Sequence, residues 1–269
     1  MIEHLLEPLV CARFINDARY REGHLRVVNA LPRRRVLGLH TPDMKRLSKE
    51  LSTAGAEVML HGRMRSCANG RELIECFEKT DHQSLCHEEV MVWGFLINNE
   101  KCSIEEHFAM LSRFVPVLDN WAVCDAYCAD AKWMRRADKE FLWNFLHSWF
   151  SSHREFEVRF AVVASMCYLL TADWVERLFA RIDRIDFQAI ESEYRTVKRK
   201  PESVQEGSVQ GTEPYYVRMA VAWLLATALA VLPVQTRTYV GGSSLPEDVQ
   251  RLYVRKVRES LRTRDMNPF

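Results

Sequence analysis

Trp121 and Asp125 are the residues of this sequence whose types and spacing first point to chemistry. They lie in the segment FVPVLDNWAVCDAYC, residues 114–128, in which Asp119 or Asn120 can cap a new helix. Residues four apart share one helix face, and a carboxylate placed there offers acid–base or electrostatic chemistry. The spacing by itself favours a plainer interpretation, in which the indole is packed and Asp125 bonds to a neighbouring helix.

Two further helical segments carry polar or aromatic residues in otherwise apolar runs. Arg159 lies just before the run FAVVASMCYLL, and Trp223 lies inside the run MAVAWLLATALAV. The plain interpretation of Arg159 is an ion pair, with Glu155 as its partner, and that of Trp223 is core packing. Neither residue points to a function when it is taken alone.

The sequence contains none of the common enzyme motifs. It has no phosphate-binding glycine loop, no dinucleotide fingerprint, no Gly-x-Ser-x-Gly elbow and no His-Glu-x-x-His helix. Cys76, His82, Cys86 and His87 match no common zinc spacing, and Cys86 fits a helix face. We therefore expect no metal and no cofactor.

The composition is that of a folded protein built from long helices. The chain has 269 residues, of which 48% are hydrophobic and 27% charged, and only 10 Gly and 9 Pro interrupt it. Its net charge of +1 excludes a uniformly basic nucleic-acid binder but allows a locally basic surface. The most apolar stretch, Met219 to Val234, is short for a membrane span and contains a proline, and the first residues lack a basic leader. We expect a cytoplasmic protein that does not cross a membrane.

Helix signals follow one another with short joints along the chain. A Thr41 cap followed by Pro42, a capping box at Ser103–Glu106 and another at Ser244–Glu247 predict three helix starts. The pattern is typical of an irregular bundle or of an α-solenoid and does not decide between them. A polar segment at about 192–213 predicts a solvated or disordered insertion.

Basic residues recur near the end of the sequence. Arg251, Arg255, Arg258 and Arg262 are three or four residues apart, which predicts one basic stripe on a helix. Such a stripe is either an ordinary solvated face or a contact for DNA phosphates. Two smaller clusters, 33–35 and 198–200, are weaker candidates for the same contact.

Several segments together resemble the AlkD-like DNA alkylation repair family, whose members consist of HEAT-like helical repeats. The matching segments occur in family order from about residue 36 to 264. They read LGLHTPDMKRLSKEL, VPVLDNWAVCD, FEVRFAVV, PYYVRMAVAWLLATAL and VRKVRESLRT. The part of the chain before them is similar to a shortened subgroup of the family. The resemblance implies an all-α fold, an α-solenoid of antiparallel HEAT-like helix pairs. It implies a single domain over residues 1–269, interrupted by the polar insertion.

The same resemblance implies a DNA glycosylase that releases N3- or N7-alkylated purines from double-stranded DNA. Asp125 would then be the catalytic carboxylate, Trp121 and Trp223 would flank the deoxyribose, and Arg159 would hold the adjacent phosphate. The expected partner is duplex DNA carrying alkylated bases, and the expected state is a monomer. A second hypothesis stays open: a catalytically inactive HEAT-like module that binds nucleic acid or a protein on its concave face.

Overall fold

A computed structural model describes residues 1–195 and 214–269 of the chain. Most of these residues lie in helices, so the predicted all-α class is confirmed. The described residues divide into two compact units, Met1–Arg136 and Ala137–Phe269. The solenoid arrangement and the single domain over 1–269 stay predictions.

The first unit contains eight α-helices and one pair of strands among its residues. Their bounds are α1 Glu3–Leu6, α2 Ala12–Asn16, α3 Ala18–Val28, α4 Thr41–Ala54, β1 Ala56–Leu60, β2 Arg63–Cys67, α5 Gly70–Glu78, α6 His87–Asn99, α7 Ile104–Phe114 and α8 Trp121–Asp130. Short 3-10 turns occupy Glu7–Leu9, Val115–Val117 and Lys132–Arg135.

Helix α6 forms the centre of the first unit. Its residues from His87 to Ile97 are all buried, and α4, α5, α7 and α8 pack against it. The Trp93 ring stacks on Phe77 with ring centroids 5.5 Å apart and meets Phe114 edge-on at 5.2 Å. Burial on every side explains why this helix reads as apolar nearly throughout and shows no single hydrophobic stripe.

A buried carboxylate at the start of α6 fixes the segment that leads into α4. Glu88 accepts hydrogen bonds from the backbone N–H groups of Leu37 and Gly38, at 2.9 and 2.8 Å. Hydrogen bonds to a charged group are stronger than neutral ones, and they satisfy backbone donors that would otherwise be buried unpaired.

The β1–β2 hairpin departs from the prediction of helices alone. The strands are antiparallel, with Leu60 opposite Arg63, and a two-residue turn of His61 and Gly62 joins them. Both turn residues have positive φ, 50° and 75°, as the tight hairpin turns that match strand twist require. The strands are short, and β2 is exposed except at Cys67, so little hydrophobic alternation marks them in the sequence.

The second unit contains six α-helices among its described residues. Their bounds are α9 Lys139–Trp149, α10 Glu155–Tyr168, α11 Val175–Ile182, α12 Tyr215–Val231, α13 Pro233–Gly242 and α14 Glu247–Glu259, with a 3-10 turn at Glu193–Arg195. Helices α10 and α12 pack together, and α12 also packs on α14. Within residues 1–195 and 214–269, every helix falls short of the length or the apolar character that a membrane crossing demands.

The predicted helix starts have mixed outcomes. The capping box at Ser103 is present: its side chain accepts from the Glu106 N–H at 3.1 Å, and the Glu106 side chain accepts from the Ser103 N–H. The box predicted at Ser244 is wrong, because α14 begins only at Glu247 with Pro246 before it. The cap predicted at Thr41 is also shifted, since α4 begins at that residue and His40 precedes it.

The polar insertion predicted at 192–213 falls outside the described residues from 196 onward, and so does the basic cluster at 198–200. Its first residue, however, is not solvated. Ser192 is buried and donates its hydroxyl hydrogen to Glu155.

Gly55, which ends α4, gives a test of the junction between α4 and the hairpin. Its φ is +67°, and a Cβ there would lie 1.9 Å from the carbonyl oxygen of Cys67. We expect Gly55→Ala to lower the free energy of unfolding by more than about 2 kcal/mol, because positive φ and a backbone clash both oppose it. Urea unfolding measures this.

The matched control is Gly62→Ala in the hairpin turn, where φ is +75° but nothing lies within 4 Å of the added Cβ. This variant should lower the free energy of unfolding by only about 1 kcal/mol, because the positive φ alone opposes it. Equal losses in the two variants would contradict the close approach at Gly55.

Candidate active site

The start of α8 is built around the Asn120 side chain, as one of the two predicted caps. Its Oδ1 accepts from the Ala122 N–H at 2.8 Å, and its Nδ2 donates to the Val28 carbonyl at 2.9 Å. The residue is fully buried. Both ends of one amide are therefore used, one to begin α8 and the other to hold the end of α3.

The Trp121 side chain strengthens the same junction. Its indole Nε1–H is shared between the carbonyls of Val27 and Val28, at 3.2 and 3.1 Å. Helix α3 ends there because Asn29 adopts left-handed geometry, which leaves its last carbonyls without partners inside the helix. The indole plane is thus fixed by backbone atoms, while part of the side chain remains exposed.

A buried ion pair lies directly before this helix. Arg34 donates from Nε and Nη2 to Asp119 Oδ2 at 3.0 and 2.8 Å, and Arg33 Nη2 reaches the same oxygen at 3.3 Å. The Nη1 of Arg34 donates to the carbonyls of His82 and Leu85. Arg33 and Arg34, the first two residues of the 33–35 cluster that is a candidate for DNA contact, therefore bind the Asp119 carboxylate of the protein itself.

Trp121 and Asp125 lie on one face of α8, as their spacing predicted. This face is half-exposed, and the opposite face is buried in the first unit; the half-exposed residues are Trp121, Ala122, Asp125 and Ala126, and the buried ones are Val123, Cys124, Tyr127 and Cys128. Asp125 is therefore not a core carboxylate. Its neighbours on this face, Ala122 and Ala126, have small side chains.

The other two candidates lie in the second unit, on neighbouring helices. Arg159 on α10 is only 3% exposed, and its Nη1 donates to the Tyr216 carbonyl at 2.6 Å. Glu155, one turn earlier, accepts from the Tyr216 N–H at 2.6 Å. Both side chains therefore bind the backbone of Tyr216, in the first turn of α12.

Trp223 belongs to a half-exposed stripe along α12 rather than to its core. The stripe repeats every four residues and consists of Tyr215, Met219, Trp223 and Thr227, whereas nearly all other residues of the helix up to Leu229 are buried. A partly exposed indole on an apolar helix keeps one surface available for a ligand.

The basic stripe predicted on the last helix is shorter and less charged than expected. Arg251, Arg255 and Arg258 are exposed on α14, but the helix ends at Glu259, so Arg262 lies beyond it. The placement of Arg262 on the helix was wrong, because Ser260 turns to extended geometry.

Two of the three helical arginines are also paired with acids on the same helix. Arg251 Nη1 lies 2.7 Å from Glu247, and Arg255 Nε lies 2.7 Å from Glu259. These pairs reduce the net positive charge that α14 can offer to a phosphate backbone.

The residues considered for zinc have other roles. The Cys76 thiol lies 3.5 Å from that of Cys67, His82 bonds to the Phe77 carbonyl, and Cys86 caps α6. No group of three metal-binding side chains comes together in the part of the chain that the structure describes.

The sequence predicted the helix cap at Asn120 but not the buried ion pair that lies next to it. The buried Arg34–Asp119 pair joins residues 85 positions apart, and no local pattern signals such a contact. The one available signal was the excess of arginine in a short loop at 33–35, which we interpreted as a surface for DNA.

The Asn120 junction predicts a measurable stability difference. Asn120→Ala should lower the free energy of unfolding by about 2 kcal/mol, because a helix cap and a buried bond to the Val28 carbonyl are lost together. The control is Ser103→Ala in α7, which removes a cap alone and should cost about 1 kcal/mol. If chemical denaturation gave the two variants the same loss, the link between α8 and α3 would contribute nothing.

His87, behind this junction, predicts a pH effect. Burial lowers the pKa of its imidazole to about 4, although the nearby Asp119 charge acts in the opposite direction. Between pH 6.5, the ordinary pKa of histidine, and about pH 4, the His87 imidazole is protonated in the unfolded chain but stays neutral in the folded chain. Stability should therefore fall as the pH falls through that window, and His87→Leu should flatten the slope by up to about 1.4 kcal/mol per pH unit.

Denaturant midpoints measured from pH 7 to pH 4 test this. Other histidines with lowered pKa values, such as His107, remain in both proteins and act as the internal reference. Identical slopes in the wild type and the variant would show that the His87 imidazole does not resist protonation.

One comparison with known proteins found a match. The family model described as DNA alkylation repair enzyme matches residues 16–185, more than half of the chain, and this range contains Trp121, Asp125 and Arg159. Neither the curated proteins nor the solved structures gave a significant match. The chain therefore belongs to the family of DNA alkylation repair enzymes.

Proposed function

We propose that this member of the family is a DNA glycosylase that hydrolyses the N-glycosidic bond of N3- or N7-alkylated purines in duplex DNA. The observation that carries the proposal is the half-exposed Asp125 beside Trp121, on a helix whose start is fixed by buried polar contacts. Family membership supplies the substrate class, since the matched model describes alkylation repair.

The proposed chemistry needs one carboxylate and no strong acid. Alkylation makes the purine cationic and therefore a good leaving group, so positive charge develops on the sugar as the bond breaks. A carboxylate about 4 Å from that charge contributes on the order of 4 kcal/mol at an effective dielectric of about 20, near a thousandfold in rate. The Asp125 carboxylate would also orient or deprotonate the attacking water.

The tryptophans are proposed to flank the deoxyribose. The electron-rich face of an indole favours a cationic sugar for the same electrostatic reason as the carboxylate. Trp121 suits this role because its N–H is bound to the carbonyls of Val27 and Val28, which holds the ring without using its faces. Trp223 is proposed for the matching role from its half-exposed position on α12.

The proposed phosphate contacts come from arginines. Arg159 would hold the phosphate next to the lesion, and Arg251, Arg255, Arg258 and Arg262 would contact the backbone farther along. The Arg159 guanidinium is buried and donates to the Tyr216 carbonyl, so it would have to keep or exchange this bond when it holds the phosphate.

The decisive experiment is base release from duplex DNA containing N7-methylguanine, measured under single-turnover conditions with enzyme in excess. Asp125→Asn should slow release about a thousandfold, because the amide keeps the shape of the side chain but loses its charge. Thermal unfolding of the variant establishes that the fold is retained.

The matched control lies on the same helix. Asp130 is also half-exposed and pairs with Lys45 at 2.7 Å, so Asp130→Asn removes one carboxylate from α8 at a different position. Its release rate should stay within about threefold of the wild type, since a surface ion pair contributes little. Release by Asp125→Asn at the wild-type rate would refute the catalytic assignment.

The alternative function is a HEAT-like module that binds nucleic acid without cutting it. The burial of Arg159 favours it, because the glycosylase proposal uses that guanidinium to hold a phosphate. This alternative predicts no base release at any enzyme concentration, together with DNA binding that weakens steeply as salt is added.

A further inference from the structure

A buried arginine in the second unit has no acidic partner. Arg181, on α11, is 7% exposed, and no carboxylate pairs with it among the residues the structure describes. Its Nη2 donates to the Ser151 hydroxyl at 2.7 Å, its guanidinium lies 5.2 Å from the Phe150 ring centroid, and its Nε is buried with no hydrogen-bond partner.

Two other buried arginines face a carboxylate. Arg34 faces Asp119 at 2.8 Å, and Arg218 faces Asp248 at 3.0 Å. Withdrawing a charge from water is costly unless an opposite charge or several hydrogen bonds replace the lost solvation. Arg181 lacks both, so its environment favours an anion from outside the chain.

Further cations lie around Arg181. The Arg184 charge acts on its guanidinium and lowers its pKa, after the larger effect of burial. His147, exposed near the end of α9, has a lowered pKa because of desolvation and then the charges of Arg181, Arg184 and Arg177. The charges of Arg177, Arg181 and Arg184 all act on the His147 imidazole and favour its neutral form.

One member of this group is already neutralised. Arg177 pairs with Glu140 and lies over the Trp143 and Trp174 rings, at 5.0 and 4.6 Å. Arg184 is exposed and has no ion pair within the described ranges. The unmatched positive charge is therefore concentrated on Arg181 and Arg184.

We propose that Arg181, Arg184 and the Ser151 hydroxyl form a binding site for a phosphate group. A phosphate offers several acceptor oxygens to guanidinium and hydroxyl donors at once and supplies the charge that Arg181 lacks. The site uses none of the residues proposed for base excision. The phosphate belongs either to a nucleic-acid backbone or to a small soluble molecule.

The first test is the thermal unfolding midpoint in inorganic phosphate and in chloride at equal ionic strength. The wild type should be more stable in phosphate, because exclusion of phosphate from the protein surface stabilises any folded protein and binding to the folded state raises the midpoint further. Arg181→Met should lose the part of this gain that comes from binding. In chloride it should be at least as stable as the wild type, since an uncompensated buried charge has been replaced by an apolar chain of similar length.

Two companion variants keep the test decisive. Arg184→Gln, at an exposed position, should fold normally and lose part of the phosphate gain. Arg46→Met removes an exposed arginine paired with Asp43 on α4 and should keep the whole gain. A wild type that is equally stable in both salts, or an Arg181→Met variant destabilised equally in both, would overturn the proposal.

A second arm distinguishes the source of the phosphate. Binding of unmodified duplex DNA is measured over a range of salt concentrations for the wild type and for the Arg181→Met/Arg184→Gln double variant. A log–log salt slope reduced by about one to two units in the double variant supports a DNA phosphate. An unchanged slope, in a double variant that has lost the stabilisation by inorganic phosphate, supports a small soluble phosphate. Neither experiment measures base release, so the phosphate site can be confirmed or refuted whatever the outcome of the glycosylase assay.

Discussion

The candidate active site depends on the buried ion pair between Arg34 and Asp119. One guanidinium binds Asp119 with two nitrogens and the carbonyls of His82 and Leu85 with a third, so three separate stretches of chain meet at a single side chain. Removing one partner of such a pair typically costs about 3–5 kcal/mol, because the other charge is left buried alone. The helix that presents Trp121 begins two residues after this anchor.

The second unit uses the same principle at the start of α12. Glu155 and Arg159 bind the N–H and the carbonyl of Tyr216, and Arg218 binds Asp248 on α14. In both units, helices with half-exposed candidate residues are held at their first turn by buried polar contacts. Buried hydrogen bonds and ion pairs form only when their atoms are placed in one arrangement, whereas apolar side chains can pack in several.

Local signals in the sequence predicted part of the local structure. The Ser103 capping box and the Asn120 cap follow from neighbouring residues, and so does the shared face of Trp121 and Asp125. The same kind of signal misplaced the starts of α4 and α14. The Arg34–Asp119 pair could not be predicted, because its partners are distant in sequence and an arginine-rich loop looks the same whether it is solvated or buried. The two short strands joined by His61 and Gly62 were not predicted for a related reason: the exposed residues of β2 show no alternation of apolar and polar side chains.

Amide hydrogen exchange in Asp119→Asn tests the central claim most directly, since this change removes the charge while keeping the shape of the side chain. The account predicts that the first turn of α8, after Asn120, loses protection against exchange to a greater degree than the first turn of α7, whose Ser103 cap is untouched. If both turns changed alike, or neither changed, the buried pair would not be what positions the candidate carboxylate.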